Sequence, residues 1–114
     1  MHLFVYGSLM RGEPNAGELT GASFLEAART APAYTLVDLG TFPALLAGGT
    51  TAIAGELYEV GAELLSALDV FEEHPHVYCR TPVDLHDGRR VEAYLLVRSS
   101  DGAPPIPGGD WRAR

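Results

Sequence analysis

The chain has 114 residues, 46% of them hydrophobic, and a net charge of −7 from 15 acids against 8 basic residues, all of them arginine. That content and length suit one folded domain over residues 1–114 with a modest core, rather than a disordered chain. The arginines are scattered except for Arg89-Arg90, so the basic stripe of a nucleic-acid binder is missing, and a single Cys excludes an internal disulfide.

The opening Leu3-Phe4-Val5-Tyr6 reads as a short, unbroken, buried strand ended by Gly7. Residues 10–23 are polar and Gly-rich, a loop with room for one helical turn. "YTLVDL" (34–39) is a second strand, and the Gly/Pro segment "GTFPALLAGGTT" after it is too irregular for a regular element. "AIAGELYEV" (52–60) alternates, with Ile53, Gly55 and Leu57 on one face and Glu56 and Tyr58 on the other. Gly55 inside it predicts a bulge or a close backbone approach.

Residues 62–73 carry the strongest helix signal. Leu64, Leu65, Leu68 and Phe71 share a face, and Pro75 ends the run. "VYCRTPVDL" (77–85) and "RVEAYLLV" (90–97) follow as strands joined at Asp87-Gly88, a hairpin signal. The Gly/Pro-rich tail 101–114 is expected to lie over the surface. Strands outnumber helices, so the fold class is α+β, with a mainly antiparallel sheet able to curl into a small barrel. The N-terminal residues lack a basic region, and no segment reaches the apolar length of a membrane span. A soluble cytoplasmic protein acting on a small molecule or a protein partner is expected, without nucleic acid or membrane.

Gly7 and Gly12 have the glycine spacing of a phosphate-binding loop. Glu13 and Pro14 then stand where a Lys and a Ser or Thr are needed; the carboxylate repels a triphosphate, and Pro has no N–H. What remains is a tight turn whose N–H groups at Gly7, Ser8 and Leu9 can bind an anion, a carboxylate more readily than a phosphate.

At 100° per residue, Glu72 falls on the flank of the helix's apolar face and Glu73 points nearly opposite, into solvent. Partial burial would raise the pKa of Glu72 and prepare it for proton transfer; a solvated, idle acid fits the same pattern. His74 and His76 flank Pro75 without a third metal ligand in a clear motif, so a loop is expected there rather than a zinc site. Cys79 reads as a buried, inert thiol. Ser8 lies outside a G-x-S-x-G elbow. Arg11 reads as a solvated loop residue. Tyr6, Tyr58, Tyr78 and Tyr94, in or beside strands, either fill the core or line a pocket.

These residues together resemble the γ-glutamylcyclotransferase-like family. "FVYGSLMRGEPN" is similar to its opening strand and Tyr-Gly-[Ser/Thr]-Leu turn. "ALDVFEEHPHVYCRTPVDL" is similar to its Leu-Asp-x-Phe-Glu and Tyr-x-Arg motif, with "GTFPAL" and "GELYEV" between them in the family's order. The short loop most resembles the branch that includes the γ-glutamylamine cyclotransferases. Glu73 departs from the family's usual small residue at that position.

The resemblance implies a small, mainly antiparallel β-barrel with flanking helices. It also implies cyclisation of a γ-glutamyl amide to 5-oxoproline. Tyr6, Gly7, Ser8 and Leu9 would hold the γ-glutamyl group, Glu72 would be the catalytic base, and Tyr78 and Tyr94 would line the pocket. No metal or other cofactor is expected, and the chain is expected to be a monomer or a weak homodimer. The alternative is a non-catalytic carboxylate- or amino-acid-binding module of the same fold.

Overall fold

The unbroken apolar run at the start becomes β1 (His2–Val5), and its position in the fold explains its composition. β1 is central, buried on both faces, with Leu3 and Phe4 fully inaccessible. The computed structural model, which describes residues 1–114, places β2 (Ser23–Arg29), β3 (Tyr34–Asp38), β4 (Pro43–Ala47) and β5 (Ala54–Glu59) before helix α1 (Ala62–Phe71). The hairpin β6 (Tyr78–Asp84) and β7 (Arg90–Leu96) comes after the helix, as the Asp87-Gly88 signal predicts. Short 3₁₀ turns occupy Ala16–Leu19 and Trp111–Ala113.

Five strands form a mixed sheet in the order β2-β5-β1-β7-β6, and β3 pairs with β4 in a separate two-stranded sheet. All pairings are antiparallel except β1 with β7. Gly55 permits the β1–β5 contact: a Cβ there would lie 2.2 Å from the Val5 carbonyl oxygen and 2.7 Å from the Phe4 ring.

The expected closed barrel is not formed. The edge strands β2 and β6 approach at one corner only, where Thr30 bridges Leu85 and the Ala31 N–H donates to the Asp84 carbonyl (2.9 Å). Two local features oppose a continuous ladder along these edges. The register of β2 slips between Phe24 and Glu26, and Pro82 in β6 has no N–H to offer a further strand. The flanking α-structure is the single helix α1.

Two further expectations are corrected, and one strand has no sequence signal. The Gly/Pro segment after residue 39 does contain a strand, β4, whose Ala44 and Leu45 are fully buried. Residues 23–29 form β2 without any alternation to signal it, because nearly every side chain on this edge is exposed. The tail does not merely cover the surface. Its Ile106 N–H donates to the Leu36 carbonyl (2.8 Å), and Ile106 and Trp111 enter the buried cluster.

On α1, Leu65 and Leu68 are buried as the periodicity predicts, while Phe71, on the same face, is 39% exposed at the end of the helix. No helix is long and apolar enough to cross a membrane.

Candidate active site

The Tyr-Gly-Ser-Leu turn leaves the central strand at the point where the end of α1, the β3–β4 turn and β7 converge. They enclose a cavity of about 280 Å³, just below the usual range of small-ligand sites, about 300–1,000 Å³. Its walls are Phe4 to Leu9 with Asn15, then Phe42 and Pro43, then Phe71, Glu72, Glu73, Val77 and Tyr78, and finally Tyr94 and Arg98. Tyr6, Gly7, Ser8, Leu9, Glu72, Tyr78 and Tyr94, all singled out in the sequence, therefore border one space.

The turn is built to leave donors free. The Met10 N–H donates to the Gly7 carbonyl (3.1 Å), and Asn15 ties Ser8 twice, from its own N–H to the Ser8 carbonyl (2.9 Å) and from Nδ2 to Oγ (3.0 Å). The N–H groups of Gly7, Ser8 and Leu9 make no hydrogen bond within the protein. Such a run of unpaired donors suits an anion. Gly7 is required for space: a Cβ would sit 2.6 Å from Cγ of Pro43, across the cavity wall.

Glu72 caps the C-terminus of α1, its N–H donating to the Leu68 carbonyl (2.8 Å). Its carboxylate is partly buried and has neither an ion-pair nor a hydrogen-bond partner. Burial pushes its pKa up from 4.5 to about 7. Its neighbour Glu73 lies beyond the last helical residue with φ of 54°, in the left-handed region, so the helical projection no longer applies to it; it is exposed, as expected, and also borders the cavity.

The tyrosines have divided tasks. The Tyr6 hydroxyl donates to the Tyr94 carbonyl (2.6 Å) and accepts the Leu45 N–H (3.3 Å), so its polar end is occupied by backbone and its ring supplies the wall. Burial, then the charges of Tyr78 and Glu72, raise its pKa well above the ordinary value. The Tyr78 hydroxyl donates to the Pro43 carbonyl (3.4 Å), and burial followed by the Glu72 charge pushes its pKa up to about 12.

The Tyr94 hydroxyl donates to Asp69 Oδ1 (2.6 Å); burial first, then that bond, raises its pKa. All three stay protonated at neutral pH, which leaves Glu72 as the cavity group that titrates near 7.

Asp69 also accepts both Nε and Nη2 of Arg80 (3.1 and 3.2 Å). Burial raises the Asp69 pKa, but the bonds from Arg80 and Tyr94 outweigh it and hold the carboxyl below its ordinary value. The bidentate Arg80 pair fastens the last turn of α1 to β6, the Tyr94 bond fastens it to β7, and together they hold Glu72 at the cavity.

Other candidates are located differently. His74 Nδ1 accepts the Arg80 N–H (3.0 Å), tying the loop to β6, and no three His, Cys, Asp or Glu side chains are grouped to hold a metal ion. Cys79 is only partly buried and lies outside the cavity walls. Arg11 is a solvated loop residue, its side chain 61% exposed, but it is not free: its guanidinium pairs with Glu56 (3.2 Å) and stacks 3.6 Å above the Phe24 ring. Arg98 is the arginine at the cavity.

Asn15, Phe42, Pro43 and Arg98 join the site only in the folded chain. Of these, Asn15 falls in the opening motif and Phe42 and Pro43 in the Gly-Thr-Phe-Pro segment, while Arg98 carries no usable sequence signal.

A family model described as "Gamma-glutamyl cyclotransferase, AIG2-like" matches residues 3–113. The chain is 39% identical over 113 residues to gamma-glutamylaminecyclotransferase A of Danio rerio, covering 88% of this chain and 70% of that protein. An AIG2-like protein of Mus musculus has a similar crystal structure, with a TM-score of 0.79, 30% identity, and coverage of 93% of this chain and 85% of the other. The structure of c4763, from uropathogenic E. coli, superposes with a TM-score of 0.87 at 26% identity, over 98% of this chain and 92% of that one.

Proposed function

The chain belongs to the γ-glutamyl cyclotransferase, AIG2-like family, and on that premise we propose that it cyclises a γ-glutamyl amide to 5-oxoproline and releases an amine. The observation that carries this reading is the pairing, across one cavity, of the partner-free Glu72 carboxylate with the unbonded N–H groups of Gly7–Leu9.

In this mechanism the turn's N–H groups receive the substrate's α-carboxylate and γ-carbonyl oxygen. Glu72, ionised, takes a proton from the α-ammonium. The freed α-amine attacks the γ-carbonyl of the same molecule, and negative charge gathers on the carbonyl oxygen beside backbone donors. The bond from the γ-carbon to the leaving nitrogen then breaks. Glu72 delivers its proton to that nitrogen, takes up the second proton of the former α-amine, now the ring nitrogen, and passes it to the departing amine, which leaves as an ammonium with Glu72 ionised again. Nucleophile and electrophile are tethered from the start, so orientation supplies much of the rate. The rings of Tyr6, Tyr78 and Tyr94 form the walls around the reacting chain. The reaction draws on no redox step and no activated group.

The test is incubation with a panel of γ-glutamyl amines and γ-glutamyl amino acids, with 5-oxoproline followed by mass spectrometry. Release from at least one member is expected. Ligand binding across the panel without product would instead favour the non-catalytic binding module.

A further inference from the structure

Outside the cavity, on the neighbouring strand β5, lies a carboxylate that the mechanism leaves unused. Glu56 is only 3% exposed. Its Oε1 accepts the backbone N–H of Arg11 (2.8 Å) and the Tyr58 hydroxyl (3.0 Å), and its Oε2 accepts Nε of Arg11 (3.2 Å). Arg112, from the C-terminal segment, approaches the same Oε2 at 3.7 Å and donates to the Arg11 carbonyl. Both backbone polar groups of Arg11 are thus held from outside the loop, one by Glu56 and one by Arg112.

Arg11 stands two residues after the last cradle donor, Leu9. Within the cradle the N–H groups bond to nothing; Met10 and Asn15 hold the Gly7 and Ser8 carbonyls of the same peptide planes, and the bonds on Arg11 hold the segment into which the cradle continues. A buried carboxylate is a costly way to stabilise a sheet, since apolar residues of similar volume commonly do as well or better. What it adds is directed acceptors, here satisfied by three donors on two segments.

We propose that Glu56 is a positioning residue for the γ-glutamyl cradle. Acting through Arg11, with Arg112 gripping the opposite side of the same residue's backbone, it fixes the N–H groups of Gly7–Leu9 in the arrangement that receives the substrate's carboxylate. This rests on the cavity reading given above.

The test compares wild type with Glu56→Gln and Arg112→Gln. The glutamine at position 56 keeps one acceptor oxygen but turns an NH₂ toward the Arg11 Nε donor. For each protein, KM and kcat for 5-oxoproline release, the Kd for 5-oxoproline by calorimetry, Tm and the pH profile of kcat/KM are measured. For Glu56→Gln, KM and Kd should each rise about tenfold, about 1.4 kcal/mol of lost binding. The pH midpoint should stay where Glu72 sets it. Arg112→Gln should raise Kd in the same direction by a smaller factor.

A lower Tm with unchanged KM and Kd would mean that Glu56 only stabilises the fold, and would overturn the proposal. If Glu56→Gln does not fold, Arg112→Gln decides, and an unchanged Kd there overturns it. Wild type that binds 5-oxoproline but turns over no γ-glutamyl amide would sink the cyclotransferase reading alone, while the Kd comparison still decides the positioning claim. Wild type that does not bind 5-oxoproline would overturn both.

Discussion

Replacing Glu72 by Gln should cost nearly all turnover while making the protein more stable at alkaline pH. The carboxylate has no partner, and burial raises its pKa from 4.5 to about 7. At about 1.36 kcal/mol per pH unit, that corresponds to a penalty of about 3 kcal/mol on the ionised form, an upper bound because the cavity mouth admits water. The sign follows from linkage. The folded protein binds this proton more tightly than the unfolded chain, so the associated stability is fully present below pH 4.5 and is lost as pH rises through about 7. A glutamine in its place never ionises and avoids that loss.

The stability of Glu72→Gln relative to wild type should therefore climb by about 2–3 kcal/mol between pH 4.5 and about pH 8. Urea denaturation of both proteins at several pH values measures it. In parallel, 5-oxoproline release should fall by a factor of about 10²–10⁴, the usual contribution of a general base. The wild-type kcat/KM should fall about tenfold per pH unit below its midpoint near 7. A stability difference that does not vary with pH, or turnover that survives the substitution, would refute the assignment of Glu72 as the buried base.

Gly7→Val should weaken the binding of 5-oxoproline by at least about tenfold, about 1.4 kcal/mol, because its Cβ must enter the space 2.6 Å from Pro43; adding Pro43→Ala should recover part of that loss in the same calorimetric titration, and no recovery would mean the clash is not the cause. Tyr94→Phe removes the 2.6 Å bond to Asp69 and should destabilise the protein by about 1.5–3 kcal/mol, as hydrogen bonds to charged groups do, a loss read from the urea midpoint.

Much of this protein was legible from local pattern. The buried strand before Gly7, the strand carrying Gly55, the helix ended ahead of Pro75 and the Asp87-Gly88 hairpin each depend on short-range periodicity or backbone chemistry. The residues that meet at the cavity were also nameable, because the family resemblance fell on Tyr6–Leu9, Glu72 and Tyr78.

Other features were settled only where distant segments meet. β2 has no alternation to read, since an exposed edge strand is held by the ladder of β5 rather than by a buried face. β4 is a strand despite its Gly/Pro surroundings, because β3 offers it partners and the core takes Ala44 and Leu45. Angular position on a helix predicted opposite directions for Glu72 and Glu73, but the helix stops first and both border one cavity. Arg11 and Glu56 are 45 residues apart and find each other only in the folded sheet. Periodicity and turn chemistry act over a few residues and are written in the chain itself; burial, charge pairing and the pKa of Glu72 depend on what comes to surround a group, which only the packed fold decides.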